Sequence, residues 1–172
     1  MSTPDFDNVI GGPAKCLLAA TEIGHTSGGI TATLTPETRN VTVDEFGSSI
    51  CNVRHVGEAA EVVARYGEYA ADTLAEVLES GNNQTAAAGA KYMGFGRTAG
   101  YIYTAQGLTV VPYLTADAAK KFELFRATAT GPVELTYDND NDIIFETTFT
   151  GLVDESQGTD GEMMGKIHLT AA

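Results

Sequence analysis

The chain is expected to fold as a mainly β domain of α+β type, a β-sandwich or barrel with one short flanking helix. Three features of the sequence carry that expectation. Period-two alternation of apolar and polar residues dominates the chain. Turn-forming clusters break the alternation at short intervals. Only one stretch combines helical periodicity with capping residues. A length of 172 residues suits a single domain spanning 1–172 with a substantial core.

Lys15-Cys16-Leu17-Leu18-Ala19 reads as the first strand, ended by the turn-rich Gly24-His25-Thr26-Ser27-Gly28-Gly29. Ile30 to Thr35 alternates cleanly, with Ile30, Ala32 and Leu34 on one face and Thr31, Thr33 and Thr35 on the other. Pro36 is expected to stop this strand, because proline cannot donate to a ladder. Val41-Thr42-Val43 repeats the pattern briefly. Residues 44–57 then lose periodicity and read as a long loop, and long ordered loops in compact domains usually have a function. Alternation returns from Ala59 to Tyr66.

The helix is expected over residues 72–80. Asp72 can cap its start, Leu74, Val77 and Leu78 fall at helical spacing, and Gly81 can close its end. So short a helix is unstable alone and must pack on a sheet. Asn82 to Ala90 reads as a mobile loop. Further strands follow at 101–103, 108–111, 121–127, 133–137, 143–153 and 166–169, with turns at Gly131-Pro132 and Asp138 to Asp142.

Charge narrows the functional classes. The net charge is −13, so a basic surface for sequence-independent DNA binding is excluded. Nine acidic residues and no Lys or Arg lie between Ala127 and Gly165. Such an excess reads either as a solubilising surface or as one that repels nucleic acid. No run approaches the roughly 18 apolar residues of a membrane helix, and the N-terminal residues lack a signal-peptide pattern. A soluble protein made in the cytosol is the expectation. Cys16 and Cys51 lack metal-type spacing and read as free thiols.

A search for catalytic motifs yields none that holds. His25, His55 and His168 stand in unrelated contexts, without the spacing of a zinc site or a hydrolytic triad. Gly94-Phe95-Gly96-Arg97-Thr98-Ala99-Gly100 departs from a dinucleotide fingerprint in spacing and is not followed by a helix. Asp138-Asn139-Asp140-Asn141-Asp142 opens like a calcium loop, but Ile143 and Phe149 stand where Gly and Glu are required. The chain contains no Trp to form a sugar platform. No catalytic residue, metal site or cofactor is therefore expected, and the chain reads as a structural protein and not an enzyme.

The order of elements resembles the major tail tube proteins of long-tailed bacteriophages. The likeness rests on Gly11-Gly12-Pro13-Ala14-Lys15 leading into a first strand, and on Ile23-Gly24 followed by Gly28 to Leu34. Val41-Thr42-Val43-Asp44-Glu45-Phe46-Gly47 opens the long loop, and Gly57-Glu58 re-enters a strand before Thr73 to Leu78. Ile144 to Asp154 is similar to the family's penultimate strand. The resemblance implies hexameric rings of identical subunits, stacked into a tube in the phage tail and assembled in the bacterial host cytoplasm. Expected partners are further copies of the chain, the tip or baseplate, tape-measure and terminator proteins, and DNA in transit, with no membrane insertion.

Under that resemblance an N-terminal arm (1–10) and the last strand bridge rings. The 44–57 loop reaches a neighbouring subunit, with Asp44, Glu45, Phe46, Ile50, Val53, Arg54 and Val56 as its contact candidates. Thr31, Thr33, Thr35, Glu61, Arg65, Glu146, Thr148 and Thr150 are the candidates for lining the lumen, where acidity would keep DNA from adhering. The alternative is a ligand-binding or capsid-decoration β-sandwich of adhesin type, in which the Asp138–Asp142 turn would bind calcium.

Overall fold

Phe145 lies opposite Tyr66 across an antiparallel strand pair, and their fully buried rings stack with centroids 5.3 Å apart. Burying a ring of this size stabilises the fold by about 1.5–3 kcal/mol, so the pair anchors the sheet around it. A computed structural model describes residues 12–67, 77–78, 81–85, 91–135, 145–158 and 161–169. Its described residues form a mainly β, antiparallel fold. The strands are β1 (Ala14–Leu18), β2 (Thr21–Glu22), β3 (Thr26–Thr42), β4 (Ile50–Tyr66), β5 (Gly81–Thr85), β6 (Lys91–Phe95), β7 (Gln106–Pro112), β8 (Phe122–Ala129), β9 (Glu134–Leu135), β10 (Phe145–Leu152) and β11 (Gly165–Ile167).

The main sheet runs β2-β1-β7-β8-β10-β4-β3, while β5 and β6 form a separate hairpin. Strand β8 is shared on one side. Its Arg126–Ala129 half pairs with β10, and its Phe122–Leu124 half pairs with β11. The sheet curls until its two ends approach, and the Thr26 hydroxyl donates to the Ala14 carbonyl at 3.0 Å.

Alternation explains which side is filled. Phe145, Thr147, Phe149 and Gly151 of β10 are buried, and the residues between them are half-open. Opposite them stand Tyr66, Ala64 and Val62 of β4, all fully buried. Cys16, Ile23, Leu108, Leu124 and Val77 complete the core. Thr147 is the one fully buried polar side chain among these, and its hydroxyl donates to the Val77 carbonyl at 3.3 Å. That bond ties the segment at 77 to the sheet. The helix expected over 72–80 otherwise falls outside the described residues, apart from helical Val77 and Leu78 beside it.

Several sequence expectations need correction. Pro36 does not end the strand: β3 continues to Thr42, with Pro36 opposite Glu58. β3 is an edge strand, where a missing outward N–H costs no ladder bond. The strand also starts earlier than expected, at Thr26. Gly28 and Gly29, with φ of 85° and 91°, absorb a register irregularity between Thr26 and Ile30. Most of the expected 44–57 loop is strand. Only 43–49 forms the connection, with a short 3-10 turn at Asp44–Phe46, and Ile50 to Gly57 belong to β4. Tyr101 to Tyr103 are not strand, and Asn82 to Thr85 are strand β5 and not loop. The N-terminal arm, the Asp138–Asp142 turn and the remainder of the 82–90 segment, 86–90, lie outside the described residues.

Candidate functional site

The eight lumen candidates, read from three separate strands, share one face of the folded sheet. Thr33, Glu61, Thr150 and Thr128 stand in one row across β3, β4, β10 and β8. The next row contains Thr31, Val63 and Thr148, and a third sets Arg65 against Glu146. Thr35, opposite Ala59, extends the face outward. This face lies opposite the core face on every one of these strands, as the period of two requires.

Local contacts fix its polar groups. The Arg65 Nε donates to Glu146 Oε2 at 2.6 Å, with both side chains about half-exposed. The Arg65 stem runs beside Gly28, so the β3 bulge makes room for it. The Thr130 and Thr150 hydroxyls lie 2.5 Å apart. Gly131 packs against Thr148, where an added Cβ would come within 2.6 Å of the threonine side chain. The Thr128 hydroxyl is buried with no hydrogen-bond partner among the described residues.

Beyond this face the β3–β4 hairpin projects as an arm. Residues on both strands from about Thr35/Ala59 outward are almost all exposed. At about 3.3 Å per residue, the eight residues from Thr35 to Thr42 extend roughly 25 Å. The loop candidates gather here. Asp44, Glu45 and Phe46 form the tip, while Ile50, Val53, Arg54 and Val56 lie along β4. Register irregularities at Val56 and at Cys51 keep the strand paired while shifting its alternation. Phe46, Ile50, Val53 and Val56 are each more than half exposed. Pairing places Val53 and Ile50 on the continuation of the core face, and Arg39 and Arg54 on the continuation of the polar face. Among the described residues, no strand of the main sheet lies along the outer edge of the 17-residue β3.

At the root of the arm a cleft of about 400 Å³ opens between β3–β4 and β8–β11. Leu34, Phe122, Leu124 and Ile167 line it, with Glu58, Glu162 and His168 also among its lining residues. Glu123 of β8 accepts a 3.0 Å hydrogen bond from the His168 ring and lies 3.4 Å from the Lys121 ammonium. Partial burial raises the Glu123 carboxyl, but His168 and Lys121 outweigh it and hold the group below its ordinary value. Cys16 is buried beside Tyr66. Burial pushes its thiol up to about 11, against a smaller opposing hydrogen bond from Tyr66.

His25, His55 and His168 stay apart: His25 precedes β3, His55 is on the arm and His168 follows β11. Among the described residues, no three His, Cys, Asp or Glu side chains gather in a way that would hold a metal ion. No helix among them is long and apolar enough to cross a membrane. What sequence reading missed was the arm as a paired hairpin. Its two bulges were the obstacle, since each breaks the period-two signal. No protein-family model matches the chain, and no curated protein matches it either.

Proposed function

We propose that the chain is a structural, non-enzymatic tail tube subunit that assembles with copies of itself into stacked hexameric rings. The observation that carries the reading is the projecting β3–β4 arm, with four bare apolar side chains and a long open strand edge. Exposed strand edges and bare apolar side chains are hazards for a monomer and joints for an assembly. In the assembly, β3 edges join neighbouring subunits into one inner barrel, and the arm reaches the next subunit or ring. The polar face bearing Glu61 and Glu146 lines the channel. Its carboxylates repel DNA phosphates, so the duplex passes without adhering. Tip, tape-measure and terminator proteins bound the tube within the virion.

Electron microscopy of the concentrated chain tests this directly. Hollow rings or tubes with six-fold end views are expected. A chain that stays monomeric, and fails to extend tail tips from the same source, overturns the reading.

The cleft at the arm's root favours a second reading, a ligand-binding or decoration β-sandwich. About 400 Å³ is within the range of small-molecule sites. A monomer whose cleft residues shift on adding a small ligand would favour it.

A further inference from the structure

The chain has ten Lys and Arg residues against 23 Asp and Glu. Eight of those ten cations have a partner. Lys15, Arg65, Lys120, Lys121 and Lys166 pair with carboxylates. Arg126 donates to the Val153 carbonyl, Arg97 lies over the Tyr101 ring, and Lys91 is also engaged. Arg39 and Arg54 are the two that remain, and no carboxylate among the described residues is within ion-pair distance of either. They are also directly opposite each other on β3 and β4. Like charges facing each other across a strand pair destabilise it. In so acidic a chain, the placement is costly unless something negative meets it.

We propose that Arg39 and Arg54 together clamp carboxylates of a second copy of this chain, making assembly through the arm dependent on charge. This rests on the assembly reading above and names the chemistry of its contact. Two observations choose a second copy as the occupant. The arm's apolar residues Ile50 and Val53 lie on the opposite face from the arginines, so a protein surface that buries the arm meets both kinds of group. The chain itself supplies the complement, because it carries 13 more acids than bases. Arg is suited to such a contact, since its planar fork binds a carboxylate through two parallel hydrogen bonds. A carboxylate from a neighbouring copy would place a negative charge between Arg39 and Arg54 and turn their mutual repulsion into an intermolecular attraction.

The test compares the full-length wild type with R39E/R54E, with R39K/R54K, and with K91E/R97E as a control of equal charge change. Each is checked for folding by thermal melting, and its assembly is followed by light scattering and microscopy over a salt series. R39E/R54E is expected to raise the concentration needed for assembly by about tenfold or more, with R39K/R54K close to wild type. The gap between wild type and R39E/R54E is expected to narrow as salt rises, because salt screens the contact that distinguishes them. If R39E/R54E folds and assembles like wild type, the arginine clamp is overturned and the tube reading stands. Equal failure of R39K/R54K and R39E/R54E would assign the effect to packing and overturn the charge contact. Loss of binding to a short duplex DNA, with assembly unchanged, would assign the pair to phosphate instead. A wild-type chain that neither assembles alone nor extends tail tips from the same source overturns both proposals.

Discussion

Arg65 and Glu146 face each other across the β4–β10 pair and are joined by a 2.6 Å ion pair at the inner end of the polar face. Both side chains are about half-exposed, so solvent screens the attraction and it is worth about 0.2–1 kcal/mol. The pair therefore orders the face without holding the fold together. It neutralises one carboxylate of that face, while Glu61, in the Thr33–Glu61–Thr150 row, has no ion-pair partner among the described residues.

From this follows a separation of stability from function. E61Q/E146Q is expected to melt within about 1 kcal/mol of wild type, because only a screened surface pair is lost. If the face lines a DNA channel, the same variant forms intact tubes and delivers DNA less efficiently. Measuring tube formation alongside DNA release checks this. Intact tubes with unchanged delivery would count against the lumen assignment.

Thr128 supplies a stability prediction independent of function. Its hydroxyl is buried and lacks a hydrogen-bond partner among the described residues, and an unsatisfied buried polar group costs about 1–3 kcal/mol. Valine keeps the branched shape that strands favour and removes the hydroxyl. Thr128→Val is expected to raise the unfolding free energy by about 1 kcal/mol, measured by urea denaturation. A loss of stability would mean that the hydroxyl has a partner in the assembled or solvated protein.

Much of the fold was legible because burial on one face writes alternation into the sequence. β10 is the clearest case: every second residue from Phe145 to Gly151 is buried, and the strand was visible along its length. The arm was not, for the converse reason. With both faces of the hairpin exposed, no core selects every second residue, and the irregularities at Val56 and Cys51 disturb what pattern remains. Tyr101-Ile102-Tyr103 misled in the other direction. Its aromatic and β-branched residues favour strand locally, but Tyr101 and Tyr103 instead pack edge to face at 5.7 Å, with Arg97 over Tyr101. Alternation alone set Glu61 with Arg65, Glu146 with Thr148 and Thr150, and Thr31 with Thr33 and Thr35 on three separate faces. Only the register, a long-range property, joins Thr33 to Glu61 and Thr150 in one row.

Acid should weaken the join between β8 and β11. Burial disfavours the charged Glu123 carboxylate, but His168 and Lys121 more than compensate and hold its folded pKa below the ordinary 4.5. A carboxyl depressed on folding contributes stability that is present above its unfolded pKa and lost as pH falls through its folded pKa. Stability should therefore decline as pH drops below about 4.5, and Glu123→Gln should show a flatter decline there. Melting temperatures from pH 6 to pH 3 check this. Parallel curves for the two proteins would remove Glu123 from the account.

The two thiols report on the core and on the arm separately. Cys16 is fully buried, with its thiol raised to about 11, so at neutral pH it is both protonated and inaccessible. Cys51 is exposed on the arm, where it makes only a 3.6 Å contact to the Ser49 carbonyl. In the monomer, a maleimide should label one site per chain promptly, at Cys51, and reach Cys16 only on unfolding. When copies associate through the arm, Cys51 labelling should slow sharply while Cys16 stays protected. Rings whose Cys51 reacts as fast as the monomer's would place the arm outside the contacts between copies. Prompt labelling of both thiols in the monomer would instead show that the core around Tyr66 opens on its own.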